Sequence, residues 1–247
     1  MGKTIETRWG FPIVTAENIY QVLAELGIKP WPRIEPPISL EEYLKRDLTE
    51  VQRSELRFAP KAEVVFLQKP NGGSYTGFRS VGKNWSTVFT LLPGNLVPVV
   101  GEFKHGAERI VLATPSGVPG KAEAGITDIV EKMKACAKRE FQEETGIPLE
   151  EIALLCGPDG LPASTRQSTE RIYPFLGKVE EGFTLGKSKL DENEFLKLVL
   201  VPLEEWMKLI EEGKIELGII SATHLALLEL GWLKISIPFD SSKDPSR

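Results

Sequence analysis

The sequence predicts a mixed α/β layered domain, and three observations carry that expectation. Apolar runs of strand length recur from residue 61 to residue 201. Helical patterns interrupt and follow them, the longest from Asp128 to Thr145. Glycine- and proline-containing breaks separate the two kinds of segment.

The elements follow in order. Residues 1–60 read as an extension, with Ile19, Val22, Leu23 and Leu26 at helical spacing and Gly27 placed to end that helix. The proline-rich KPWPRIEPP (29–37) breaks the chain, and Ser39 with Glu42 forms a capping-box pattern for a second helix. A second unit spans 61–235. AEVVFLQ (62–68), STVFTLL (86–92), LVPVVGEF (96–103) and RIVLA (109–113) read as strands, with PGN (93–95) as a turn. After the glycine-rich SGVPGKAEAG and the long helix, strands return at 152–157, 172–179 and 196–201. One helix then carries Leu203, Trp206, Met207 and Ile210 on a face, and another is expected from about Ser221 to Leu230. Residues 236–247 are expected to be a disordered tail. No internal repeat is visible.

Composition narrows the function. The chain has 247 residues, 41% of them hydrophobic, which suffices for a packed core. A formal charge of −5 disfavours a nucleic-acid partner, whose binding leans on Lys and Arg at phosphates. No apolar run approaches the ~20 residues of a membrane span, and MGKTIETRWGF lacks the apolar core of a signal peptide. Cys136 and Cys156 fit no zinc or redox spacing, so a reduced cytoplasmic setting is expected. With only His105 and His224 present, a metal site must rely on carboxylates, which suit hard ions such as Mg²⁺ or Mn²⁺.

The stretch REFQEETG (139–146) carries the chemistry. Helical positions three and four apart share a face, so Glu140, Glu143 and Glu144 converge. Glu140 and Glu144 repel by roughly 0.2–0.5 kcal/mol, and Glu143 and Glu144 oppose the helix dipole at about 0.3–1 kcal/mol each. A divalent cation would reverse the sign of that cost. A solvated acidic face would account for the glutamates alone, and Arg139 is expected to orient a carboxylate upstream rather than its helical neighbours.

The wider spacing says more. Gly125, Glu131, Arg139, Glu140, Glu143, Glu144, Gly146 and Ile147 fill the fixed positions of the 23-residue Nudix box, and the sequence resembles the Nudix hydrolases. The resemblance implies an α/β/α sandwich that cleaves a nucleoside diphosphate linked to another group. Glu140, Glu143 and Glu144 would hold the metal, Glu144 and Arg139 would serve the reaction, and Arg139 would pair with an upstream glutamate. Two glutamates qualify. RIVLATPSGVPGKAE resembles the family's strand before the box, so Gly117 and Glu123 give the same spacing as Gly125 and Glu131, with eight extra residues before Arg139.

The segment 191–218 is similar to the ADP-ribose pyrophosphatase branch, where the first glutamate of the DENE loop acts as base. That position is Glu192, with Glu194 as its neighbour. Pro162 lies 162 − 146 = 16 residues after Gly146, a spacing of the same branch. LPASTRQSTERI resembles its substrate loop, making Arg166 and Glu170 candidate contacts. Lys104 or His105 could face the phosphates, although the related enzymes use an arginine there. Trp9, Trp31 and Trp85 could stack on an adenine or pack internally, and His224 reads as a packing residue. The expected activity is Mg²⁺-dependent hydrolysis of ADP-ribose or another nucleoside diphosphate sugar. ADP-glucose is the rival substrate, and a non-catalytic nucleotide-sugar sensor is the rival class. The resemblance also implies a homodimer supported by the N-terminal extension.

Overall fold

The computed structural model describes residues 5–56, 59, 61–165, 167–186, 188 and 195–234. The predicted tail at 236–247 lies outside them. β1 (Thr7–Arg8) and β2 (Phe11–Pro12) make a tight hairpin. α1 (Ile19–Glu25) buries the predicted stripe Ile19, Val22 and Leu23. α2 (Leu40–Leu44) starts on the Ser39/Glu42 capping box, and α3 (Glu50–Glu55) on a second one at Thr49/Gln52. Neither buries a residue.

β3 (Lys61–Gln68) and β4 (Ser74–Val81) form an antiparallel hairpin. β4 escapes the apolar-run reading because Ser74, Thr76, Gly77 and Ser80 dilute it. It forms because β3 supplies a full ladder of partners. β5 (Trp85–Phe89), β6 (Leu96–Lys104), β7 (Arg109–Ala113) and the two-residue β8 (Ser116–Gly117) follow. Then come α4 (Ile129–Thr145), β9 (Leu149–Leu154), β10 (Leu161–Pro162), β11 (Arg171–Val179), β12 (Leu196–Pro202), α5 (Leu203–Glu211) and α6 (Leu217–Glu229).

Two elements start three or more residues earlier than the sequence suggests. β9 begins at Leu149 because Val179 offers it a partner. α6 begins at Leu217, with Gly218 in its first turn. Glycine disfavours helix there, but a Cβ at that position would sit 2.7 Å from Ile172 Cδ1, so only glycine lets the helix lie this close to β11.

The architecture is an α/β/α sandwich with a mixed sheet. The order β10–β11–β5–β8 has β11 parallel to β5 and the other pairings antiparallel, and β9 also pairs with β11. Strand alternation sends Val88, Tyr173 and Phe175 to one face, where Met133, Ala137 and Phe141 of α4 cover them. It sends Phe89 and Leu176 to the other face, beneath Ile219, Ala226 and Leu227 of α6. A second sheet, β12–β6–β7, shares that second core with α1 and α5. Trp206 of α5, fully buried, donates its indole N–H to Thr223 of α6 at 3.1 Å and locks the two helices together. No described helix is long and apolar enough to cross a membrane.

α4 has defined ends. The Asp128 carboxylate accepts the backbone N–H of Glu131 at 2.9 Å and so caps the start of the helix. Gly146 ends it in the left-handed conformation at φ 71°, and a Cβ there would meet the Gly186 carbonyl oxygen at 2.5 Å. Gly146→Ala is therefore expected to lower unfolding stability by about 1–3 kcal/mol in urea titration. A change below 0.5 kcal/mol would show that the backbone relaxes freely there.

Candidate functional site

The C-terminal half of α4 is organised by one guanidinium. Arg139 Nε donates to Glu123 Oε1 at 2.8 Å, Nη1 to Glu143 Oε2 at 2.7 Å and Nη2 to Glu140 Oε1 at 2.9 Å. Glu123, only 3% exposed, also accepts the Gly120 N–H at 2.7 Å. The upstream partner of Arg139 is thus Glu123. Glu131 faces away, 3.9 Å from Lys134, so Gly117 and Glu123, not Gly125 and Glu131, occupy the start of the motif in space. The eight extra residues are taken up between Glu123 and the first turn of α4. The structure also corrects the expectation that Arg139 would leave its helical neighbours alone. At one and four residues' distance, Glu140 and Glu143 both reach its fork, and the cation offsets their mutual repulsion.

The charges respond accordingly. Burial opposes ionisation of Glu123, but the Arg139 hydrogen bond, the Gly120 N–H and the Arg139 charge outweigh it and hold its pKa below the ordinary value. Burial likewise opposes the Arg139 charge, yet Glu123, Glu143 and Glu140 together raise its pKa. The cysteines behave differently. Burial pushes the Cys136 thiol up to about 11 and raises Cys156, which leaves neither as a ready thiolate.

Glu144 is 8% exposed, and its Oε2 accepts the Ser116 N–H at 3.3 Å. Glu140 rests on Gly117, where any Cβ would overlap its carboxyl group. β8 thus brings bare backbone against the glutamate helix. Among the described residues no three His, Cys, Asp or Glu side chains are already gathered as a metal cluster, since Glu140 and Glu143 lean on Arg139. The donors that Glu140, Glu143 and Glu144 offer near the end of α4 are nonetheless all carboxylate oxygens. That set fits a hard divalent cation.

Beside β8 lies a cleft of about 240 Å³ lined by Trp85, Glu102, Lys104, Glu216 and Ile219, with Ser116 and Gly117 at its edge. Lys104, expected to meet phosphates, is there, paired with Glu102 at 2.5 Å. Partial burial raises the Glu216 pKa against the lowering charge of Lys104, and Glu170 and Glu102 add to the rise. Glu170 therefore belongs to this neighbourhood, packed on Gly82. Glu102 and Glu216 were missed in the sequence, because each is a single acid at the end of an element and no local spacing marks it. Pro162 pairs with Arg171 at the edge of the sheet. Arg166, Glu192 and Glu194 lie outside the described residues. His224 Nδ1 sits 2.8 Å from the Ile220 carbonyl, within its own helix. Trp31 stacks on Phe103, and Trp9 packs against Phe183, so of the three tryptophans Trp85 is the one in the cleft. A larger cavity of about 1020 Å³, by Lys178 and Trp232, contains none of the box glutamates.

The Arg139 pairing makes a stability prediction. Glu123→Gln leaves part of a buried ion pair unmatched and should cost about 2 kcal/mol at pH 7, below the ~3–5 of a fully buried pair because Arg139 is 27% exposed. Glu131→Gln should stay within about 0.5 kcal/mol. Because the folded pKa of Glu123 is depressed, its contribution is complete above the unfolded value of ~4.3 and fades as pH falls through the folded one. The gap between wild type and Glu123→Gln in denaturant titrations should narrow below about pH 4. A gap that persists unchanged to pH 2 would contradict the ionic origin.

Comparison with known proteins agrees with the fold. The Nudix domain model matches residues 97–221. The ADP-ribose pyrophosphatase of Bacillus subtilis is 29% identical over 117 residues, 47% of this chain and 57% of the relative. That of Haemophilus influenzae is 32% identical over 114 residues, 46% of this chain and 48% of the relative. The chain thus spans about half the length of these two relatives. The methanol dehydrogenase activator of Bacillus methanolicus is 27% identical over 179 residues, covering 68% of this chain and 86% of the relative. The crystal structure of an ADP compounds hydrolase superposes with a TM-score of 0.57 at 20% identity, covering 71% of this chain and 90% of that one, a likeness of fold. With the box helix, its arginine and the sandwich all in place, this chain belongs to the Nudix family.

Proposed function

We propose that the protein is a divalent-metal-dependent pyrophosphatase acting on a nucleoside diphosphate sugar, with ADP-ribose as substrate and AMP and ribose 5-phosphate as products. The observation that carries this reading is the intact carboxylate set Glu140, Glu143 and Glu144 near the end of α4, with Arg139 holding the first two and the Ser116 N–H meeting the third. The named activity of the Bacillus and Haemophilus relatives supports the choice of substrate. ADP-glucose is the second reading, motivated by the eight-residue insertion between Glu123 and Arg139. A purely sensing domain would have no need for the complete set. Two free cysteines fit a cytoplasmic location.

Glu140, Glu143 and Glu144 would hold Mg²⁺ or Mn²⁺, with Arg139 yielding part of its grip on the first two. When bound, such an ion supplies positive charge to the phosphoryl oxygens and acidifies water. Lys104 faces the diphosphate from the cleft, and Arg166 and Glu170 remain proposed contacts on the loop after Pro162. Water adds to one phosphorus, the bridging P–O bond breaks, and the water proton passes to a base. Glu192 is the proposed base, with Glu194 the alternative, because a ligand of the metal cannot accept that proton while coordinated.

With Mg²⁺ present, ADP-ribose should yield AMP and ribose 5-phosphate by mass analysis. Glu144→Gln should lose turnover by orders of magnitude together with its metal dependence. Glu192→Gln should lower kcat by ~10²–10⁴ with metal affinity retained. Efficient cleavage of dATP with none of ADP-ribose or ADP-glucose would overturn the substrate class. Full activity of both Glu192→Gln and Glu194→Gln would move the base elsewhere.

A homodimer is part of this proposal. Ladder alternation puts Val64, Phe66 and Phe78 on one face of the β3–β4 hairpin, and Phe66 and Phe78 are 79% and 72% exposed. A two-stranded hairpin alone is marginal in water, so a second copy covering that face explains its apolar content. Phe66→Ser/Phe78→Ser should sediment as a monomer where the wild type is a dimer. A monomeric wild type at micromolar concentration would remove this part of the reading.

A further inference from the structure

The cleft beside β8 has an unusual balance of hydrogen-bonding groups. Glu102 and Glu216 line it, while Lys104 is the only cation among its described lining residues and is already paired with Glu102. Glu216 is the N-cap residue of α6, yet its side chain makes no capping hydrogen bond. Nor does any hydrogen bond or ion pair join its carboxylate to another described residue. Short Ser, Thr, Asp and Asn side chains are the ones that cap helices, and a glutamate at this position is left free to face elsewhere. Here Glu216 lines the cleft together with Trp85 and with Ser116 and Gly117, the backbone against which Glu144 and Glu140 pack.

The size and the chemistry of the walls select the occupant. A volume of about 240 Å³ is below the ~300–1,000 Å³ of pockets that enclose a whole drug-sized ligand, so the cleft suits one end of a substrate. Ionised carboxylates only accept hydrogen bonds. An adenine ring would bring several acceptor nitrogens and one amine, leaving acceptors facing acceptors. A further phosphate would bring negative charge against Glu102 and Glu216. A sugar brings hydroxyl donors, carries no charge, and can lay its C–H face on the indole.

We infer that Glu216 is a specificity-determining residue that accepts hydrogen bonds from the hydroxyl groups of the sugar on the distal phosphate. This rests on the hydrolase reading above and deepens it. It assigns the cleft to the non-nucleoside end of the substrate, with Glu102 and Lys104 as the neighbouring wall and Trp85 as the apolar floor. It also explains an acid beside a phosphate-binding site: the carboxylate admits a neutral polyol and turns away a third phosphate.

Glu216→Gln keeps the shape but exchanges an acceptor for a donor. The side chain caps nothing, so the melting temperature should match wild type. The KM for ADP-ribose is expected to rise roughly tenfold, the loss typical of one charge-assisted hydrogen bond, while kcat changes less than threefold. In calorimetry with ribose 5-phosphate and with AMP, binding of ribose 5-phosphate should weaken by a similar factor and AMP should stay within twofold. If AMP weakens instead, or if neither product nor KM responds, the assignment of the cleft is wrong. Failure of the wild type to cleave ADP-ribose or ADP-glucose strikes the hydrolase reading instead, and the ribose 5-phosphate titration of wild type against Glu216→Gln still decides this one.

Discussion

The site depends on the contact between Arg139 and its three carboxylates. A helix that gathers Glu140, Glu143 and Glu144 near its negative end is working against its own electrostatics. One guanidinium removes much of that conflict and spends its remaining edge on Glu123, in the segment leading out of β8. The pairing therefore does two jobs. It steadies two of the acids, and it fixes how far α4 stands from the strand that the acids face. Lysine could not do both, because its point charge lacks the planar fork that reaches Glu123, Glu140 and Glu143 at once.

The layers of the sandwich then determine what meets at β8. α4 covers one face of the β5–β11 pair and α6 the other, so their charged ends would ordinarily be separated by the sheet. At β8 the sheet narrows to two residues. There the glutamates of α4 lie on one side, and Glu216 of α6 with Glu102 and Lys104 of β6 on the other. Small residues at 116 and 117 are what allow this approach. Gly117 contributes through the absence of a side chain beneath Glu140.

Much of this was legible in the sequence, for reasons that differ by element. α4 was plain because periodicity, the Asp128 cap and the Gly146 stop agree, and the structure uses both ends. Helical geometry alone predicted that Glu140, Glu143 and Glu144 converge, yet among the described residues they are not gathered, because Arg139 draws Glu140 and Glu143 to itself. The partner of Arg139 was not decidable, because Glu123 and Glu131 share the same spacing from a glycine, and only folding shows that Glu131 is turned away. β8 and β4 could not be read as strands, since pairing partners rather than their own residues make them so. Glu102 and Glu216 were invisible as cleft acids because two elements far apart in the chain, β6 and the start of α6, bring them together.

The β3–β4 hairpin is attached at its far end to the loop that follows Pro162. The Ser80 N–H and hydroxyl both donate to the Gln167 carbonyl, at 2.7 and 2.8 Å, and the Thr169 N–H donates to the Ser80 carbonyl at 3.1 Å. Glu170 is the next residue, and its side chain lies over Gly82 just beyond the hairpin. The hairpin is thus a lever whose short arm is the loop. A shift of the ladder by one residue would turn Ser80 over and release all three bonds together, so the register of a surface ribbon and the order of a loop beside the cleft are a single mechanical variable.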